Sequence, residues 1–157
     1  MAEIDQFLRN LFDYDYWANL KTIESLAAVP EGVERPRKFV GHVIGAQRAW
    51  LARFSDPNPP AVQPWPVLSL EECSAAIDEM RGQWLALFEG LGPDGLERDL
   101  PYRNMKGQEF RTPIRDILTQ LTLHGAYHRG QVALAIREAG GKPAATDYIL
   151  FVRSKST

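Results

Sequence analysis

The sequence predicts an all-α protein, a four-helix bundle with one short hairpin or extended loop before the fourth helix. Three observations carry this. Four long segments repeat apolar residues at steps of three and four, the pattern of helices with one buried face. Clusters of proline and glycine separate those segments. The composition, 45% hydrophobic and 24% charged over 157 residues, suits one globular core, so a single domain over residues 1–157 is expected.

The first helix is expected from about residue 3 to residue 28, with Ile4, Leu8, Leu11, Ala18 and Leu26 among its apolar positions and Pro30 and Gly32 ending it. Asp15 and Asn19 interrupt its apolar face. A solvated face or a helix–helix hydrogen bond is favoured for them over support of a metal-bound imidazole. The second helix starts near Pro36 and reaches about Phe54, where Ser55-Asp56-Pro57-Asn58-Pro59-Pro60 stops it. Residues 55–68 hold five of the eleven prolines, so they read as a long surface connection that allows a non-simple threading of the bundle.

The third helix has the clearest start. Ser69 and Glu72 form a capping box, followed by Cys73, Ile77, Met80, Trp84 and Leu87 on one stripe, and Gly90, Gly92, Pro93 and Gly95 close the helix. Trp17, Trp50 and Trp84 sit at helical positions and are expected to pack in the core. Tyr102-Arg103-Asn104 and Glu109-Phe110-Arg111 flank Met105 to Gln108 as a hairpin, which must lean on the helices because two strands alone are marginal. Thr112 then reads as the N-cap of the fourth helix and Pro113 as its first residue. That helix should run to about Ala139, where Gly140-Gly141-Lys142-Pro143 supplies the stop. The apolar tail Tyr148 to Val152 should pack on the body, and Asp147 is a candidate either to anchor it or to touch the site.

Composition also excludes. Eighteen Lys plus Arg against 20 Asp plus Glu give a net charge of −2, which argues against nucleic acid or an acidic membrane as partner. No apolar run is long enough to span a bilayer, and the N-terminus lacks the basic-then-apolar plan of a signal peptide. The single Cys73 rules out an internal disulfide and a Cys-rich zinc site, which makes a reducing, cytoplasmic setting the expectation. Its place on an apolar stripe reads as a buried, inert thiol. Neither a Gly-x-Ser-x-Gly elbow nor a phosphate-binding loop is found.

The three histidines are the positive signal. His124 and His128 are four residues apart, hence on one helical face, and Ile117, Leu121, His124, His128 and Ala135 form one inward stripe. Phe39, His42, Ala46 and Ala49 do the same on the second helix, and the two alanines leave room above His42. For a lone histidine a satisfied core role is the simpler reading, but three inward rings together favour a shared metal ion. Neutral imidazoles suit zinc, nickel, iron or cobalt better than magnesium or calcium, and three protein ligands leave a position for water or substrate. The His-x-x-x-His spacing matches zinc metalloproteases, yet Gly125 stands where their general-base glutamate belongs. By angular count Arg129 points away from the histidines, toward an ion pair or a dimer contact.

His124-Gly125-Ala126-Tyr127-His128-Arg129-Gly130-Gln131, with Ile136-Arg137, Gly140-Gly141, Pro143 and Thr146-Asp147 behind it, resembles the C-terminal signature of the DinB-like (DinB/YfiT-like) superfamily. Phe12 to Asn19, Gly41-His42-Val43-Ile44 ahead of Trp50, Tyr102 to Gly107, Pro113, and Asp116-Ile117-Leu118 are similar to its earlier segments. The resemblance implies a four-helix bundle of unusual threading, often a homodimer. It also implies a divalent transition metal on His42, His124 and His128, with zinc or nickel foremost and iron, cobalt or manganese as alternatives. It further implies a small-molecule substrate. Characterised members include S-transferases and isomerases that use low-molecular-weight thiols such as bacillithiol or mycothiol, with the metal favouring the nucleophilic thiolate. A thiol-dependent transferase is therefore expected first and a metal-assisted hydrolase second. A non-catalytic metal-binding or stress-response protein of the same fold is the competing class.

Overall fold

The computed structural model describes residues 2–92 and 94–156. Four long helices follow the predicted order: α1 (Ala2–Ala27), α2 (Glu34–Ser55), α3 (Leu70–Gly90) and α4 (Ile114–Glu138). A 3₁₀ turn (Gly95–Glu97) and an antiparallel hairpin, β1 (Asp99–Arg103) and β2 (Glu109–Pro113), lie between α3 and α4. A short helix, α5 (Tyr148–Ser154), ends the chain. The fold is an all-α bundle in which α1 and α2 each pack against both α3 and α4, while α1 and α2 touch little. Sequence neighbours α1 and α2 therefore face each other across the bundle. The short segment 28–33 makes that diagonal step, whereas the long connection 56–69 links the neighbours α2 and α3; the threading is non-simple, and it puts α2 directly beside α4, where the histidines are.

The core forms where periodicity placed it. Leu26, Ile44, Ile117, Leu118 and Ile136 are fully buried, and Cys73, Ile77, Met80 and Trp84 line the inner face of α3. Phe88 completes that face, with Leu87 half-buried against the core at its edge, and Ile4 lies on the solvent side of α1. At the start of α3, Ser69 Oγ accepts from the Glu72 N–H at 3.1 Å while Glu72 Oε2 accepts from the Ser69 N–H at 2.7 Å, a complete capping box. Gly92 takes a positive φ of 71° just past the α3 C-cap, Leu91; Pro93, read as part of the same stop, lies outside the described residues.

The hairpin leans on α2 as expected, with Tyr102 against Trp50 at 4.7 Å between ring centroids. Its tip is tied by Asn104, whose Oδ1 accepts from the Lys106 and Gln108 N–H groups, and Gly107 supplies the positive φ of 78° the turn requires. The start of α4 differs from the expectation. Thr112 pairs with Leu100 and Pro113 with Asp99, so both belong to β2, and neither side chain caps the helix. Strand pairing claims them first: at the end of a two-stranded ribbon proline forfeits no ladder bond. The Ile114 N–H is satisfied instead by the Arg98 carbonyl at 2.9 Å. The apolar tail packs down as α5, with Phe151 against Tyr14 and Trp17. Tyr14 Oη donates to the Thr146 carbonyl at 2.7 Å, so Tyr14 and not the exposed Asp147 side chain anchors this segment.

Among the described residues no helix is long and apolar enough to cross a membrane.

Candidate metal centre

Helix α4 presents His124 and His128 one turn apart on the stripe that also carries Ile117 and Leu121, and α2 presents His42 toward them from Phe39, Ala46 and Ala49. Because α2 and α4 pack side by side, the three rings meet. Nε2 of His124 lies 3.3 Å from Nε2 of His42 and 3.1 Å from Nε2 of His128, and the three ligand atoms fall within 4.8 Å of one another.

The far side of each flanking ring is fixed. His42 Nδ1–H donates to the Pro64 carbonyl at 2.8 Å, and His128 Nδ1–H donates to Gln131 Oε1 at 2.6 Å. A carbonyl oxygen only accepts, so the hydrogen sits on Nδ1 and the lone pair on Nε2 in both. Two lone pairs thus point at the same Nε2 of His124, and a single hydrogen there satisfies only one of them. A cation satisfies all three. Tetrahedral zinc with Zn–N bonds of about 2.0–2.1 Å places neighbouring nitrogens about 3.3 Å apart, close to the two spacings observed. The donor set fits a transition metal.

Electrostatics point the same way. Burial, then the neighbouring His128 and His42, push His124 down to about 4. Burial lowers His128 too, with Gln131 opposing and His42 adding to the shift. Both are neutral at pH 7, the form that ligates metal.

Around the rings is an aromatic wall. Trp65 stacks on His42 with centroids 3.8 Å apart and planes 9° from parallel, and Phe39 stacks on His128 at 5.8 Å. Trp65 and Pro64 come from the proline-rich connection, and periodicity cannot see them because the segment has none. Their signal is elsewhere, in Gly41 and Gly45 on α2. A Cβ on Gly41 would meet the Pro66 carbonyl oxygen at 2.5 Å, and one on Gly45 the Pro64 oxygen at 2.7 Å. Glycines on either side of His42 let the connection lie on the helix backbone and deliver a carbonyl to the imidazole.

The other candidates sort clearly. Asp15 and Asn19 are buried, not solvated; they form the helix–helix hydrogen bonds that were the other half of that expectation, and neither makes a hydrogen bond to a histidine. Arg129 forms the expected ion pair, buried against Asp15. Gly125 has its own reason: a Cβ there would lie 2.5 Å from Asp15 Oδ1. Trp84 is core, Trp17 packs on α5, and Trp50 packs half-buried against the core while also lining a cleft of about 600 Å³ that opens from His42 across Ala46 and Ala49. The room foreseen above His42 is real. Cys73 is fully buried on α3 and burial raises its thiol to about 11, so it is no nucleophile.

A sequence profile of the DinB family matches residues 5–157. The chain belongs to the DinB family. It is 24% identical over 164 aligned positions to Protein DinB of Bacillus subtilis (strain 168), with 95% of each chain covered. Within the DinB family frame, the three-histidine cluster is what this chain offers a metal ion.

Proposed function

We propose that the protein is a metal-dependent enzyme in which His42, His124 and His128 hold one divalent transition metal, zinc or nickel before iron, cobalt or manganese. One observation carries the reading: imidazole lone pairs converge on one point beside a cleft large enough for a small molecule. Bound there, the metal supplies a lowered pKa for a thiol or water that enters the position the three histidines leave open. Pro64 and Gln131 hold the ring tautomers, and Trp65 and Phe39 keep bulk water from two of the imidazoles. Thiol-dependent S-transfer is the reaction to test first and metal-assisted hydrolysis second. With zinc or nickel loaded, conjugation of an electrophilic dye to bacillithiol, mycothiol or cysteine should exceed the uncatalysed rate and vanish on chelation. Full metal loading without turnover across that thiol panel and an ester panel would instead leave a non-catalytic metal-binding protein.

A homodimer is supported by the outward face of α4. Leu123, Tyr127 and Leu134 are each more than half exposed, and with Gly130 they form an apolar stripe at steps of four, three and four. Sedimentation at micromolar concentration should give twice the chain mass, and Leu134→Glu should give the monomer. A wild-type monomer would rule the dimer out.

A further inference from the structure

The cleft beside His42 has a second chemical end. His42 and Arg53 are eleven residues apart on α2, about three turns, so they share a face with about 16 Å of axis between them. Ala46 and Ala49 form the floor of that interval, and Pro59, Val62 and Met105 add apolar walls from the connection and the hairpin. Arg53 closes the far end. Its guanidinium lies over the rings of Trp50, at 4.6 Å, and Tyr102, at 5.4 Å.

What sets Arg53 apart is the missing counter-charge. The other arginine of the cleft, Arg103, is paired with Glu109. Arg53 has no carboxylate partner among the described residues, and no Asp or Glu lines the cleft. Burial lowers its pKa, so the site carries an uncompensated, partly desolvated cation. Stacking on aromatic faces orients a guanidinium while leaving its N–H edge free for a planar oxyanion.

We infer that this cleft binds an elongated molecule with an apolar body and a terminal oxyanion, a carboxylate or phosphate, held by Arg53, with its other end at the His42 face. The placement of that other end rests on the metal reading above; the anion end rests on Arg53 alone.

Calorimetric titration of the full chain tests it, using octanoate, octyl phosphate and the neutral alcohol octanol on metal-free protein. Octanoate or octyl phosphate should bind at least tenfold tighter than octanol, and whichever is tighter identifies the oxyanion. Arg53→Gln should erase that preference, while Arg103→Gln, which removes a charge already neutralised, should keep most of it. Circular dichroism confirms that both variants fold. Equal binding of acid and alcohol, no binding of either anion, or a preference that survives Arg53→Gln overturns the assignment. A parallel titration with ω-mercaptooctanoate separates the two readings. A zinc-dependent gain over octanoate supports the metal site, and its absence with the octanoate preference intact rejects the metal reading while sustaining the role of Arg53.

Discussion

His128→Ala is expected to reduce metal content from one equivalent per chain to near zero, with affinity falling by more than about 100-fold. The lower bound follows from the outer partners of metal ligands, whose loss alone typically lowers affinity about 10- to 100-fold. A lost ligand should exceed that, because two imidazoles no longer enclose the ion. Gln131→Ala supplies the comparison: it leaves His128 in place but releases its Nδ1–H, so affinity should fall within that 10- to 100-fold range. Protein purified without an affinity tag or chelator, analysed by elemental mass spectrometry, provides the measurement. Wild-type protein without stoichiometric metal, together with unchanged uptake in His128→Ala, would sink the tri-histidine site. Chelation should lower the thermal midpoint only modestly, since an apolar core shared by the four helices holds the bundle independently of the ion. Collapse of the bundle on chelation would instead mark a structural ion.

How much of this was legible depended on whether a residue belonged to a periodic element. The stripes of α3 and α4, the capping box at Ser69 and the inward setting of all three histidines follow from helical spacing, which a sequence displays directly. Contacts from outside the helices do not. Trp65 and Pro64 complete the surroundings of His42 from a segment whose prolines remove any period, and only the close approach at Gly41 and Gly45 marks where it lies. Thr112 and Pro113 carry a valid helix-start signal, but pairing with Leu100 and Asp99 outcompetes it, and pairing is a non-local event. Arg53 was hidden for a third reason. A cation near a helix C-terminus looks like an ordinary dipole partner until the structure shows that it has no carboxylate partner among the described residues. Asp15 is the reverse case. For a carboxylate on an apolar face the sequence leaves a solvated face and a helix–helix hydrogen bond both open, until its counter-ion, 114 residues later, is known to lie opposite.

That pair yields the largest expected loss of stability. Asp15→Ala should destabilise the protein by about 3–5 kcal/mol, the range for stranding one partner of a buried ion pair. Asp15 and Arg129 are each only 4% exposed. Arg129 Nη1 donates to Asp15 Oδ1 and, at 2.9 Å, to Asn19 Oδ1, while its Nε and Nη2 find no acceptor among the described residues. Asp15 Oδ2 accepts from Asn19 at 2.9 Å and from Gln47 at 2.7 Å, and Gln47 Oε1 accepts from Trp84 Nε1 at 2.9 Å. One carboxylate thus links α1, α2, α3 and α4. Burial works against the Arg129 charge, and the Asp15 carboxylate and its hydrogen bond more than offset that, holding Arg129 above its ordinary range. Without Asp15 the guanidinium stays buried against the Asn19 oxygen and the Tyr14 ring, 5.3 Å away, with no counter-ion. Asp15→Leu with Arg129→Met should recover most of the loss, because removing both charges leaves no desolvated ion to compensate. Urea unfolding of the single and double variants measures this; a single variant within about 1 kcal/mol of wild type, or a double variant less stable than the single, would refute it. Metal content adds the final discrimination. Asp15 hydrogen-bonds to none of the three imidazoles, so folded Asp15→Ala should retain its equivalent of metal, and loss of metal at unchanged stability would make Asp15 a support of the ligands instead.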